Sequence, residues 1–282
     1  MSAALDTIAE ARAALRAIAE LLKAGGAAPY LGPAVAVAAP GPRTPEALAA
    51  FFGAKVALPR RAKGNVWAAA QHIESYKHRN TVTALMNEAF AAPVPPAPLH
   101  SALAALKLPL IVESWYDDAM RAALAGRDNW GEVQGITRAG IGEDRWFRFY
   151  DSTGAAATAE QAAGWTTLLY RPHGGVTPAR NYLISDADYV EVLTEIDIQT
   201  PIPDEVRHRR AGRSFVFIGC RFHDQMLRSY ARQIMKRSGA KHYALLPEGE
   251  LTRNESRFLA EQGIVPVGLP FGDAMSELLS CL

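Results

Sequence analysis

Residues 214–225 read Ser214-Phe215-Val216-Phe217-Ile218-Gly219-Cys220-Arg221-Phe222-His223-Asp224-Gln225. Four apolar residues in a row predict a strand buried on both faces, because a strand wetted on one face would alternate. A glycine ends it at once, and Asp224 stands where a helix cap belongs, ahead of a helical pattern over 225–237. Strand, tight turn and helix in that order is the unit of a parallel sheet. The unit recurs along the chain. Downstream, strands at 243–246 and 264–267 flank a helix at 255–262, with Asn254 as its cap and Gly239 and Gly263 at helix-ending positions. Upstream, strands at 108–112 and 165–170 are followed by helices at 117–125 and 186–193. At the amino end Leu5, Ile8, Leu15, Ile18, Leu21 and Leu22 share one helical stripe that stops at Gly25-Gly26. An apolar stretch over 27–31 and a Gly32-Pro33 turn follow. The fold class this predicts is α/β: a Rossmann-like parallel sheet with helices on both faces.

The remainder predicts a smaller irregular or helical insertion within one domain spanning 1–282. Thr44-Pro45-Glu46 looks like a helix start, and 66–90 reads as one long helix burying Trp67, Ile73, Val82, Leu85 and Phe90. The proline-rich run 91–98 reads as an extended connector, followed by a helix at 100–106. Residues 126–164 are the least regular and carry one convincing strand, at 146–150; they are expected to belong to the smaller insertion. Arg207-His208-Arg209-Arg210 is expected to be a solvated loop.

Bulk properties narrow the classes of function. The 282 residues include 30 Lys and Arg against 29 Asp and Glu, so the clustered basic surplus that nucleic-acid binding needs is missing. Two cysteines, Cys220 and Cys281, are too few for a disulfide framework or a four-cysteine zinc ribbon, and no metal-ligating motif appears. Residues 1–28 carry Glu10 and Glu20 and lack the basic flank and apolar block of a signal peptide, and nothing reaches the ~18 apolar residues of a membrane span. A cytoplasmic protein without nucleic-acid or membrane partners is the expectation; a protein partner or a homo-oligomer stays open.

Ligands of open parallel sheets bind beyond the carboxyl ends of strands, which directs attention to the turns after Leu31, Val112, Tyr170, Ile218 and Leu246. The turn Gly32-Pro33-Ala34-Val35 can either turn amides toward a phosphate or serve as a plain structural turn. In Glu113-Ser114-Trp115-Tyr116-Asp117-Asp118, Asp117 is either a helix cap or a site carboxylate. His173, held between Pro172 and Gly174-Gly175, is placed to act as a base or to meet a ligand. Gly219 lets backbone approach a sugar or phosphate, with Cys220, Arg221 and Asp224 beside it; Cys220 is more readily a packing residue than a nucleophile.

Taken together these turns resemble the SIR2-like superfamily, in particular its bacterial NAD-hydrolysing branch that lacks the zinc ribbon. Residues 28–36 are similar to the family's Leu-Gly-Ala-Gly-Val-Ser turn, and 99–106 running into 111–124 to its His-x-x-Leu-x-x-Leu helix and Thr-Thr-Asn-Tyr-Asp strand end. Arg171-Pro172-His173-Gly174-Gly175 is similar to Lys-x-His-Gly-Ser, Ser185 to Tyr189 to Thr-x-x-Asp-Tyr, and 215–227 to Phe-Ile-Gly-x-Ser-x-x-Asp-x-x-Leu. The resemblance implies NAD, or an ADP-ribose-like ligand, as cofactor. It puts the phosphates on Gly32 to Val35, the nucleoside near Trp115 and Tyr116 and near Gly219, Cys220, Arg221 and Asp224, the catalytic base at His173 and a ribose-orienting carboxylate at Asp117.

The chain departs from the pattern at functional positions. Pro33, Ala34 and Ala36 stand for Ala, Gly and Ser, and Glu113-Ser114-Trp115 stands for Thr-Thr-Asn. An indole donates one hydrogen bond and accepts none, so Trp115 cannot replace the asparagine that positions ribose and water. Three readings follow: a nucleotide-binding protein with weakened or lost catalysis that acts through partners, an NAD glycohydrolase with a rearranged site, and a scaffold that binds no nucleotide. The departures favour the first, and the missing zinc ribbon disfavours protein deacylation.

Overall fold

The computed structural model describes residues 7–36, 41–137, 146–195, 202–239 and 241–282. The chain opens with α1 (Ile8–Lys23), β1 (Ala27–Leu31), α2 (Pro45–Lys55), α3 (Val66–Lys77), α4 (Arg79–Ala89) and α5 (Pro98–Ala105). It continues through β2 (Leu110–Glu113), α6 (Ala119–Leu124), β3 (Trp130–Gly135), β4 (Phe147–Asp151), β5 (Ala156–Ala157), α7 (Ala159–Ala163) and β6 (Thr167–Arg171). Then come β7 (Gly174–Gly175), β8 (Asn181–Tyr182), α8 (Asp186–Glu195), α9 (Asp204–Arg210), β9 (Ser214–Ile218) and α10 (Gln225–Ile234). The last elements are β10 (His242–Leu245), α11 (Arg253–Glu261), β11 (Ile264–Pro266) and α12 (Phe271–Cys281).

Nine of the described strands form one sheet in the order β11-β10-β9-β1-β2-β6-β3-β4-β5, parallel from β11 to β3. Helices cover both faces, which is why the central strands read as unbroken apolar runs. Val216 and Ile218 of β9 pack with Leu15, Ile18 and Leu22 of α1 and Leu278 of α12 on one side. Phe215 and Phe217 pack with Tyr230 and Ile234 of α10 and Phe258 of α11 on the other. The α/β architecture and parallel sheet expected from residues 214–225 are thus present.

The irregular stretch 126–164, expected within a smaller insertion, places β3 parallel to β6 and β4 and β5 antiparallel at the sheet's edge. Separate from the sheet's two faces, α2, α3 and α4 gather a third core around Phe52, Trp67, Ile73 and Met86, joined by Trp115, Tyr116 and Tyr189. The helix expected over 66–90 is two helices. His78 has φ 70°, outside any α-helix, and Arg79 beyond it pairs with Glu74 at 2.9 Å and Asp188 at 2.8 Å, tying the break to α8.

Two further expectations are corrected. The cap of α11 is Thr252, not Asn254: its hydroxyl accepts from Glu255 N while Glu255 reaches back to Thr252 N, a reciprocal box that fixes the first turn. The basic run 207–210 is helical rather than a solvated loop. Arg209 donates to the carbonyls of Trp165 at 2.7 Å and Ala162 at 2.9 Å, and Arg210 to those of Gln233 and Ile234 at 2.9 and 2.8 Å. The last two carbonyls close α10, where cations are favoured.

β1 lies between β9 and β2, so successive connections leave it in opposite directions and a crevice opens at its carboxyl end. Gly32 and Gly219 cross there. Gly219 has φ 73°, and a Cβ on it would come within 2.9 Å of Val35 N; one on Gly32 would strike the Gly219 carbonyl and lie 2.7 Å from Cys220 Sγ. Gly219→Ala is expected to lower stability by ~1–3 kcal/mol through the left-handed backbone and the clash, as read from urea unfolding; an unchanged midpoint would show that the crossing tolerates a methyl group.

Candidate functional site

Each of the five strand-end turns singled out from the sequence contributes to one cavity of about 430 Å³. Pro33 and Ala34 come from the turn after β1, Ser114, Trp115 and Tyr116 from that after β2, and His173 from that after β6. Gly219 to His223 follow β9, and Pro247 and Glu248 follow β10. Its volume is in the usual range for small-molecule sites. The outer wall comes from the helical unit through Thr44, Pro45, Glu46, Val66 and Trp67, with Tyr189 on α8 and Tyr30 on β1.

A row of hydrogen bonds joins the strand ends along this rim. Gly219 N donates to Leu245 O at 3.0 Å, and Gly32 N to Ile218 O at 2.8 Å. The amide and hydroxyl of Ser114 both donate to Leu31 O, at 2.9 and 2.8 Å. His173 Nδ1 lies 2.9 Å from Ser114 O. A carbonyl can only accept, so the hydrogen of neutral His173 sits on Nδ1 and Nε2 carries a lone pair. Nε2 is buried and has no hydrogen-bond partner among the described residues. The imidazole lies among the rings of Tyr189 and Tyr230, each 5.4 Å away, and Tyr116 at 6.4 Å, and burial pulls its pKa down to about 4.

The ring-lined wall is held from behind. Trp115 donates to Pro42 O at 3.3 Å and packs edge-on against Phe90, and Tyr116 donates to Leu183 O at 2.8 Å. Tyr189 meets Trp67 edge-on at 6.0 Å. Below the rim, Arg171 is fully buried and donates to the carbonyls of Tyr116, Asp117 and Thr177 and to Asp118 at 3.0 Å.

Of the residues expected to form the site, Pro33, Ala34, Trp115, Tyr116, His173, Gly219, Cys220 and Arg221 line the cavity. Gly32 and Val35 lie in the crossing with Gly219 behind it. Asp117 and Asp224 are not among the lining residues. One oxygen of Asp117 pairs with the buried guanidinium of Arg43 at 2.6 Å and the other accepts from Ala119 N at 2.9 Å, so the carboxylate is taken up in anchoring α6. Asp224 caps α10 through Met226 N at 2.7 Å. Cys220 is enclosed, with burial pushing its thiol up to about 12, so it packs as a thiol rather than serving as a nucleophile. Arg221 makes a two-point pair with Glu255, 2.9 Å at each contact. Thr44, Glu46, Trp67, Ser114, Tyr189, His223 and Glu248 were not among the expected site residues. The strand-end rule pointed to Ser114 and Glu248, whereas nothing local in the sequence shows that α2 and α3 fold over the rim.

A nicotinamide–adenine nucleotide fits this cavity in part. The aromatic wall suits flat bases, and His173, which lines the cavity, carries an unpartnered acceptor at Nε2. The β1 turn does not fit a pyrophosphate: Pro33 has no N–H, and the amides of Gly32, Ala34 and Val35 donate to Ile218 O, Gly219 O and Gly32 O.

Among the described residues no helix is long and apolar enough to cross a membrane. No curated protein matches the chain. The SIR2-like domain, as a family model, matches residues 109–267, which is more than half of the chain and includes the turns after β2, β6, β9 and β10 but not that after β1. With a parallel sheet, a switch-point cavity and a buried histidine inside the matched span, the chain belongs to the SIR2-like domain family.

Proposed function

We propose that the chain binds a nicotinamide–adenine nucleotide, or an ADP-ribose-like part of one, in this cavity and hydrolyses it weakly or not at all, acting through a protein partner. The observation that carries the reading is the unpartnered Nε2 of His173 in the wall of an aromatic cavity at the sheet's switch point. Most buried polar atoms are paired, so an acceptor without a partner on a cavity-lining histidine supports a ligand donor at this site. When bound, NAD supplies the bond between a pyridinium and a ribose; an ADP-ribose-like ligand has no such bond.

The weakness of catalysis follows from what the chain's own groups can do. His173 takes a proton at Nε2, but a base works best with a pKa near the working pH, and burial has moved this one far below. Trp115 cannot accept from a ribose hydroxyl or a water. Asp117 is held by Arg43. Losing one positioning group costs ~10²–10³ in rate, and two such groups are missing here. The retained imidazole alone favours the second reading, a slow glycohydrolase.

Titration calorimetry with NAD and ADP-ribose is expected to give saturable heat, with nicotinamide release at or near background. Rapid release that disappears in His173→Ala would replace this reading with the glycohydrolase, and absence of heat from both compounds would leave a scaffold. His173 also gives a pH signature. Its folded pKa, about 4, lies below the ordinary 6.5, so the unfolded chain takes the proton first. Its contribution to stability is full above pH 6.5 and declines as pH falls toward 4. His100, lowered to about 4 by burial, acts in the same window. Each can account for on the order of 3 kcal/mol. Urea unfolding at several pH values should show a shallower acid decline in His173→Gln than in the wild type; parallel curves would contradict the buried neutral imidazole.

A further inference from the structure

The amides of the β1 turn and the helix starts at this rim, where a phosphate would be received, are largely taken up by the chain. In the β1 turn, Gly32 N is bonded at 2.8 Å and Ala34 N and Val35 N at 3.3 Å to backbone carbonyls. In the β9 turn, Gly219 N is bonded to Leu245 O. The start of α10, where amides and helix dipole attract anions, is capped by the Asp224 carboxylate. The start of α2, which borders the cavity, has Pro45 without an N–H, Thr44 Oγ1 already accepting from Ala47 N, and the carboxylate of Glu46 in its first turn.

Charge points the same way. Arg221 is the only Lys or Arg among the described residues lining the cavity. Its charge is matched by Glu255, and its remaining donors reach the carbonyls of Glu248 at 3.3 Å and Glu250 at 2.8 Å. Glu46 adds an exposed carboxylate to the wall, 3.8 Å from His223 Nε2, and Glu248, which also lines the cavity, accepts from Phe271 N at 3.1 Å with its own. A phosphate placed here would meet carboxylates and no free cation, whereas aromatic rings and the His173 acceptor offer a base and a ribose what they need.

We propose that the cavity recognises the nucleoside part of its ligand, through base and ribose, and that phosphate adds nothing to affinity. This rests on the nucleotide-binding reading above and narrows its ligand to the nucleoside class, with any phosphates directed out through the mouth. The inference is tested by titration calorimetry of the full chain with adenosine, nicotinamide riboside, NAD and ADP-ribose. Adenosine is expected to bind no more than about threefold more weakly than ADP-ribose, the span one screened charge contact covers. Glu46→Lys, which puts a cation in place of an exposed wall carboxylate, should raise the ratio of ADP-ribose to adenosine affinity about threefold or more. ADP-ribose binding more than about threefold tighter than adenosine to the wild type would overturn the inference and leave the nucleotide reading standing. Heat from none of the four compounds would overturn both.

Discussion

Where a parallel sheet ends, the last amides and carbonyls of its strands lose their ladder partners, and buried groups of that kind must be satisfied somewhere. In this chain they satisfy one another. The row from Leu245 O through Gly219, Ile218 O, Gly32, Leu31 O and Ser114 to His173 links the carboxyl ends of β10, β9, β1, β2 and β6. That single constraint draws five turns into one rim, places His173 in one tautomer, and takes up the amides of Gly32, Ser114 and Gly219.

A second layer supports the row from below. Arg171 at the end of β6 sits beside Glu113 and Glu132, each at 3.6 Å, and Asp118 at 3.0 Å. Burial pushes the Glu113 carboxyl up while the guanidinium pulls it down. A buried cation is tolerable only when its donors are matched, and here the matching groups are the carbonyls of two turns: Tyr116 and Asp117 in one, Thr177 in the other. The pair of glycines after His173 answers to the same geometry, since a Cβ on Gly175 would overlap the Arg171 guanidinium. The histidine is thus carried on a turn that the arginine clamps from beneath and the Ser114 carbonyl fixes from the side.

The sheet and its rim were legible because their signals are local. An apolar run closed by glycine, as at 215–219, states both the strand and the sharp turn, and the order of such units states the parallel sheet. What was not legible depends on distant partners. The strand β3 has Gly131, Glu132 and Gln134 among its residues and reads as irregular; it is held by pairing on both edges, and Glu132 is buried against Arg121 and Arg171. Arg209 and Arg210 look solvated until the open carbonyls of Trp165 and Ile234 are seen beside them. Trp67 reads as core, and it is core; that the same core, with Tyr189, borders the cavity follows only from how α3 and α8 meet the sheet.

The same distinction explains why the motif residues divide as they do. Asp117, Asp188 and Asp224 fall on positions where the family resemblance implies ligand contacts or a helix start, and each carboxylate is engaged by the chain itself. Asp117 is held by Arg43, Asp224 by the first turn of α10, and Asp188 by Arg79 and the amides of Ile184 and Ser185. Asp117, drawn to Arg43 and to Ala119 N, does not line the cavity. Arg43, from a segment with no bearing on the motifs, is what decides for Asp117. The aromatic wall is under the opposite constraint: Trp67, Trp115, Tyr116 and Tyr189 are part of the core that holds α2, α3 and α4 together, so the flat surfaces that a base would use cannot be lost without losing that unit. The aromatic wall is therefore fixed by the packing of the helical unit, whereas the strand-end carboxylates are fixed by whichever cation or amide lies nearest to them.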